Sequence, residues 1–532
     1  MTARKTLFQY HYRRSADQDA AQITRHPVVI IGAGPVGLSL AVDLAQRDVP
    51  VVLLDDADRI GEGSRAICFA KKTLEIFDRL GCAQPMLEKG VRWSVGRVFQ
   101  GESEMYRFDL QPEGGHKMPA FINLQQYYVE KHLADRMAAL PQIDMRWRNK
   151  VTALEPKADS VVLTIETPDG PYKLTTDWLI ACDGARSPSR QMLGLAFDGE
   201  VFEDQFLIAD VKMTADFPVE RWFWFEPPFH NGQSALLHKQ PDDIWRIDLQ
   251  LGRDADAEQE KRPENVLPRI RRMLGHDQFT LEWVSIYQFQ CRRLERFVHG
   301  RVLFAGDSAH QVSPFGARGA NSGVQDAENL AWKLAAVIKG EARSSLIASY
   351  DQERSEAADE NIRHSTRSTD FLAPQTPAEM LLRNAALSLA RHADFAKSMV
   401  NSGRLSTPGR YTDSSLSSPD EELWDGGIPP GSPIADAPLR DTSATTIYFS
   451  EALGPDFTLL CGAKARVHVP ASVKLVRIGQ GQYEDTENLL RQRFALPEAG
   501  GILIRPDGHV AARFQTLEQG AFDAALQKAM GG

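Results

Sequence analysis

One stretch near the amino terminus constrains the fold more than any other. Val28–Val29–Ile30–Ile31 is a short β-branched run, and Gly32–Ala33–Gly34–Pro35–Val36–Gly37 follows it directly. Val36, Leu40, Ala41 and Leu44 then recur at helical spacing, which predicts strand, tight turn and helix in that order. A second apolar run, Val51–Val52–Leu53–Leu54, ends in Asp55. That places an acid about 20 residues beyond the first glycine, where a dinucleotide-binding unit needs one. Each glycine has its own task. Gly32 permits the turn, Gly34 lets backbone approach a pyrophosphate, and Gly37 allows close packing of helix on strand. Pro35 and Val36 head a helix whose free N–H groups and positive end face the phosphates. Asp55 suits the hydroxyls of an adenosine ribose and repels a 2′-phosphate. Gly61–Glu62–Gly63–Ser64–Arg65–Ala66 repeats the letters of the motif but follows a polar loop rather than a strand, so it reads as a loop. Arg65 there is open to two readings, a bidentate diphosphate contact or a surface arginine.

Two further strand-to-turn segments lie far downstream. Trp178–Leu179–Ile180–Ala181–Cys182 runs into Asp183–Gly184–Ala185–Arg186–Ser187. Arg301–Val302–Leu303–Phe304–Ala305 runs into Gly306–Asp307–Ser308–Ala309–His310, then through Pro314 to Gly316–Ala317–Arg318–Gly319–Ala320–Asn321. An amphipathic helix follows, with Ala327, Leu330, Ala331, Leu334 and Ile338 on one face. Asp307 at a strand end is a good acceptor for polyol hydroxyls. The helix that begins at Gly319 offers free N–H groups to a developing negative charge. His310 is read as a packed, locally bonded histidine rather than a catalytic one.

Taken together, the three segments resemble the class A flavoprotein monooxygenases, the aromatic hydroxylases related to para-hydroxybenzoate hydroxylase and phenol hydroxylase. The resemblance runs from about Pro27 to Asp351. It implies FAD as the resident cofactor, with NADH or NADPH as co-substrate docking transiently; no second strand–GxGxxG–helix unit is present to hold it. It also implies oxygen addition at the flavin C4a and transfer of the distal hydroperoxide oxygen to a phenolic ring. Residue by residue, Gly32, Gly34, Pro35, Val36, Gly37, Asp55 and Arg65 would hold the ADP half. Asp183 and Gly184 would lie near the diphosphate, Asp307 beside the ribityl chain, and Gln126 or its neighbour Gln125 against the flavin side chain. Gly319, Ala320 and Asn321 would stabilise the reduced ring, and Pro314 would lie over it with a free carbonyl. The pattern leaves open another flavin-dependent oxygenation, or halogenation of a polycyclic natural product. Trp222–Phe223–Trp224–Phe225–Glu226–Pro227 partly matches the halogenase signature but departs at Arg221 and Glu226.

The chain predicts an α/β protein, α+β overall. Its expected parts are a tail at 1–24, a Rossmann-like FAD-binding domain split between 25–198 and 298–370, and an interleaved antiparallel-sheet substrate domain at 199–297. The sheet is expected from aromatic, alternating runs such as Ile244–Trp245–Arg246–Ile247–Asp248–Leu249. The resemblance makes Tyr287, at the place where related phenol hydroxylases put a substrate-directed tyrosine, the leading substrate-contact candidate, with His238 and Trp224 behind it. Residues 371–430 read as helices and a Ser/Pro/Gly-rich linker. Residues 431–532 resemble the thioredoxin-like unit of the phenol hydroxylase and 3-(3-hydroxyphenyl)propionate hydroxylase branch, without CxxC. Arg505–Pro506–Asp507–Gly508 is its expected hairpin turn.

Composition narrows the partners. Sixty-one basic against 71 acidic residues give a net charge of −10, which disfavours a nucleic-acid binder. No apolar run nears the roughly 20 residues of a membrane span. Five scattered cysteines argue for a reducing, cytoplasmic setting and against a zinc or disulfide frame; no metal is expected. The expected partners are a small phenolic substrate, O₂ and a second copy of the chain.

Overall fold

The computed structural model describes residues 8–532 apart from 61–65, 231, 253–254, 373, 375, 401–404 and 480. Thr24–Ile31 forms the heart of a sheet in which Val302–Phe304, Tyr172–Ala181, Thr24–Ile31, Val51–Asp55 and Ile143–Trp147 lie side by side and parallel. Val28, Val29 and Ile30 are fully buried, as expected of parallel strands covered on both faces. A hairpin, Lys150–Pro156 with Val161–Glu166, extends the sheet beside Tyr172–Ala181.

Helix Pro35–Gln46 packs closely along helix Gly319–Ile338. Their approach is set by missing side chains. A Cβ on Gly323 would sit 2.7 Å from a Val36 methyl, and one on Gly306 2.9 Å from the same methyl.

The second sheet has eight strands, in the order His310–Gln311, Thr280–Arg293, Asp198–Lys212, Ile244–Leu251, Ala235–Lys239, Arg221–Phe225, Val95–Gln100 and Ser103–Asp109. It is wider than residues 199–297 alone, because the edge hairpin comes from 95–109. One face is closed by helix Pro263–Leu274, where Val266 and Ile270 pack with Trp224, Trp245, Ile247 and Leu249. The other face looks toward the parallel sheet.

The carboxy-terminal strands Val473–Arg477, Phe457–Cys461, Gly501–Ile504 and Val510–Phe514 make a mixed four-stranded sheet, the first pair parallel. The turn at Arg505–Gly508 is buried rather than wet: Arg505 and Asp507 are 2% and 1% exposed. Arg505 grips Glu353 in bidentate fashion at 2.5 and 2.8 Å, and Lys333 reaches the same carboxylate at 2.7 Å. The Ser/Pro/Gly-rich segment is also packed down rather than slack. The Tyr411 ring lies 5.5 Å from the Arg505 guanidinium and its hydroxyl accepts from Arg354 at 2.9 Å, while the Ser414 hydroxyl donates to Glu353 at 2.5 Å.

Candidate active site

The three strand-end turns singled out in the sequence leave three neighbouring strands of one sheet and open on one cavity of about 350 Å³. Gly34, Pro35 and Val36 come from the first turn, Cys182 and Gly184 from the second, and Ala305 and Asp307 from the third.

Two glycines of the first turn are required by the chain itself. Gly32 has φ +102°, and a Cβ there would lie 2.4 Å from the Cys182 carbonyl oxygen. A Cβ on Gly37 would lie 2.0 Å from the Gly32 carbonyl oxygen. Gly34 differs: its φ is −77°, open to any residue, and a Cβ would meet nothing within 4 Å. Gly184 likewise faces open space, though its φ of +78° favours glycine. Such emptiness beside free backbone N–H groups is what a pyrophosphate occupies.

Asp55 does not line the cavity; it stands behind the turn. Its carboxylate accepts the Ala33 N–H at 2.6 Å and the Ala57 N–H at 2.9 Å. Burial raises its pKa, partly offset by those two bonds. Asp183 is also set back. One oxygen accepts from the Ser189 N–H at 2.9 Å, and the other is buried without a partner among the described residues. An orphaned acceptor, an open glycine cradle and an acid behind it fit an adenine dinucleotide. Arg65 falls outside the described residues.

Gln126 lines the cavity, accepting from Ala66 N–H at 3.1 Å and donating to Glu130 at 2.8 Å. Gln125 turns away and donates to the Pro241 carbonyl at 3.3 Å, so Gln126 is the one of the pair that faces the cavity. Gly319, Ala320 and Asn321 face the cavity at the head of their helix, and the residue before them, Arg318, makes no side-chain cap. The Asn321 side chain is committed elsewhere: it accepts from Ala70 N–H at 2.9 Å and donates to the Cys68 carbonyl at 2.9 Å. Only backbone is offered at that position.

Pro314 lines the cavity, but its carbonyl is not free as expected, since it accepts the Ala317 N–H at 3.0 Å. His310 packs locally. Its Nε2 meets Asp326 at 2.7 Å, and Asp326 also accepts the Gly306 N–H at 2.9 Å and Arg354 Nε at 2.6 Å. His310 and Arg354 hold the Asp326 carboxyl below its usual range even though burial works against them.

The antiparallel sheet supplies the opposite wall. Phe206 pairs with Tyr287, and Ile208 with both Ser285 and Asp248. Asp248 pairs in turn with Leu236. In the next row His238 pairs with Arg246, Arg246 with Asp210, and Asp210 with Trp283. All but Asp210 line the cavity, and Arg221 joins them from the neighbouring strand. Alternation puts Trp222 and Trp224 on the other face; Trp224 stacks on Phe99 at 5.3 Å under helix Pro263–Leu274. Tyr287 and His238 therefore reach the cavity and Trp224 does not. The polar wall residues Arg221, Arg246 and Asp248 escaped sequence reasoning. Their signal, charges alternating with apolar residues, also describes a wet face.

Residues 25–365 match the FAD binding domain family. A Klebsiella pneumoniae 3-(3-hydroxy-phenyl)propionate/3-hydroxycinnamic acid hydroxylase is 28% identical over 546 residues, covering 96% of each chain. A Streptomyces rimosus 6-methylpretetramide 4-monooxygenase is 29% identical over 530 residues, covering 94% of this chain and 93% of the relative. Among solved structures, the flavin-dependent monooxygenase PieE in complex with FAD and substrate superposes with a TM-score of 0.81 at 22% identity, covering 96% of this chain and 99% of that one. The Pseudomonas putida p-nitrophenol 4-monooxygenase PnpA gives 0.64 at 26% identity, covering 72% and 99%. Among the described residues no helix is long and apolar enough to cross a membrane, and no three metal-ligating side chains group together.

Proposed function

The chain belongs to the FAD binding domain family, and on that premise we propose that it hydroxylates a phenolic ring with NADH or NADPH and O₂. The observation that carries this reading is one cavity with two unlike walls. The parallel-sheet side offers glycine turns and a helix terminus to a dinucleotide, and the antiparallel side offers Phe206, Ile208, Trp283 and Tyr287 to an aromatic ring. The flavin supplies the electron and oxygen chemistry when bound. The chain's own residues bind, orient and exclude water. Gly34 and the head of helix Pro35–Gln46 hold the pyrophosphate, and Asp55 takes the ribose. The N–H groups at Gly319, Ala320 and Asn321 meet negative charge on the reduced ring. Asp307, exposed at the cavity's edge, suits the ribityl hydroxyls. Phe206 and Tyr287 fix the substrate ring, with Pro314 across from them.

The resemblance to the Streptomyces rimosus enzyme, named for a polycyclic substrate, supports a second reading in which the ring belongs to a larger fused system. Halogenation loses support, because the Trp222–Trp224 segment directs its indoles away from the cavity. The test is a panel of simple phenols, phenolic acids and polycyclic phenols scored for stimulated NADH or NADPH oxidation. A phenol that accelerates oxidation at least tenfold and gains one oxygen supports the reading. Equal oxidation with and without every phenol overturns it.

A further inference from the structure

The polar end of the substrate wall lies on the antiparallel sheet, on the same cavity as the glycine turns, and its chemistry is unspent. His238 is 3% exposed, lines the cavity, and its Nδ1 is buried with no partner among the described residues. Its Nε2 lies 3.9 Å from Asp248 Oδ2, within reach of a small ring rotation. The other oxygen of Asp248 is also buried and unpartnered. Arg246, by contrast, is matched: its guanidinium clasps Asp210 at 2.8 and 2.9 Å. Arg221 faces the same space, close enough to Asp248 to share its field, and no described carboxylate lies within ion-pair distance of it. The cluster thus holds one imidazole, one carboxylate to orient it and one cation without an anion. Unsatisfied buried groups of this kind are costly unless a ligand completes them.

Resting on the hydroxylase reading above, we propose that His238 is the base that takes the proton of the substrate's phenolic hydroxyl, with Asp248 orienting its ring and Arg221 holding the phenolate. In the step, the O–H bond breaks and its electron pair stays on the oxygen. A new N–H bond forms at His238 Nδ1, while Nε2–H points to Asp248. Nothing is oxidised or reduced. The arrangement follows the general logic of an activated hydroxyl: acceptor, orienter and anion stabiliser in one cleft. Loss of the proton activates the ring, because a phenolate donates electrons to its own carbons more strongly than a phenol does.

The groups facing His238 bear on its proton affinity. Burial, with Arg221 and Arg246 beside it, holds the imidazole well below its ordinary pKa, so it enters neutral and able to accept. Burial pushes the Asp248 carboxyl up to about 6, against the pull of Arg246 and Arg221 and with Asp210 adding to the rise. Cys68, which shares the field of Arg221, Arg246 and Asp248, is kept a neutral thiol by burial. A phenolate formed beside Arg221 cancels the charge that repels an imidazolium, so His238 gains affinity as the proton arrives.

The test uses the FAD-loaded protein and 4-nitrophenol, a probe whose phenolate is coloured. A difference spectrum across pH reads the fraction of bound probe that is ionised, independently of turnover. The apparent pKa of the bound probe is expected to lie about 1–3 pH units below its free value, and Arg221→Gln is expected to return it toward that value. With a phenol that supports turnover, His238→Gln is expected to lower kcat about 10²–10⁴-fold with KM within a few-fold and an unchanged flavin spectrum. Asp248→Asn should give a smaller loss and shift the acid limb of the pH profile, where a base becomes protonated and stops working. A bound probe that stays neutral, a saturating probe that leaves the spectrum flat, or an Arg221→Gln variant that ionises it as well as the parent overturns the proposal. If phenols stimulate NADH oxidation while any of these occurs, the base assignment alone fails. If no phenol stimulates it, the hydroxylase reading fails first.

Discussion

Gly34→Ala separates a glycine kept for a ligand from one kept for the fold. At Gly34 the backbone is already in a region that alanine adopts, and the added methyl meets no protein atom within 4 Å. The apoprotein should therefore melt at the same temperature or slightly higher, since such a change trims unfolded-state entropy by about 0.4–1 kcal/mol. The methyl instead occupies the space where backbone N–H groups approach a pyrophosphate. Losing one charge-assisted hydrogen bond there costs about 1.5–3 kcal/mol, or roughly 10–100-fold in FAD affinity. Gly37→Ala is the control. Its methyl would lie 2.0 Å from the Gly32 carbonyl oxygen, and relieving that overlap moves helix or turn by about 1 Å, at about 1–3 kcal/mol of apoprotein stability. Titrating apoprotein with FAD, read by quenching of flavin fluorescence, alongside thermal melts of each apoprotein, gives both numbers. Wild-type FAD affinity in Gly34→Ala, or an apoprotein that unfolds, would refute the reasoning.

Other consequences follow from the same geometry. Trp224→Ala should cost about 3–5 kcal/mol in stability yet leave KM for a phenolic substrate within twofold, whereas Phe206→Ala should raise that KM at least tenfold; melts and steady-state kinetics separate the two. Glu353→Gln, which leaves Lys333 without a carboxylate and Arg505 with Asp507 alone in the interior, should cost about 3–5 kcal/mol by chemical denaturation. Burial would raise the Glu353 pKa, but Arg505 and Lys333 overcome it and hold the carboxyl far below its usual range. A depressed carboxyl contributes stability above its unfolded pKa of about 4.3 and loses it as pH falls below that value, so the wild type should weaken in acid and Glu353→Gln should weaken less steeply. Asp326→Asn should release Gly306 and His310 together, and dialysis should strip FAD from the variant at least tenfold faster than from the parent.

The glycine-turn wall of the cavity was legible because its signal is local: Gly32, Gly34 and Gly37 act through backbone conformation and spacing within one strand–turn–helix unit, whereas Asp55 proved to stand behind the turn. Gly184 and Asp307 were legible for the same reason, each at the end of its own buried strand. The substrate wall was not. Trp224 and Phe223 are adjacent in sequence, and only pairing register decides which lies on the face that carries Arg221 to the cavity; a one-residue change of parity exchanges the two faces. Arg246 and Asp248 alternate with buried Ile247 and Leu249 whether the far side is water or a cavity. The Arg505–Gly508 turn carries the residues of an exposed hairpin, and its burial depends on Glu353, 152 positions earlier in the chain. The Pro314 carbonyl was expected to be free because the loop's curvature at Ala317, with φ +53°, cannot be read from an alanine.

The most direct measurement is the origin of the product's new oxygen. FAD-loaded protein is supplied with NADH or NADPH, a stimulating phenol and isotopically labelled dioxygen, and the product is weighed by mass spectrometry. The account predicts one labelled oxygen on the aromatic ring. A product whose added oxygen comes from water, or one that has lost hydrogen without gaining oxygen, would contradict it.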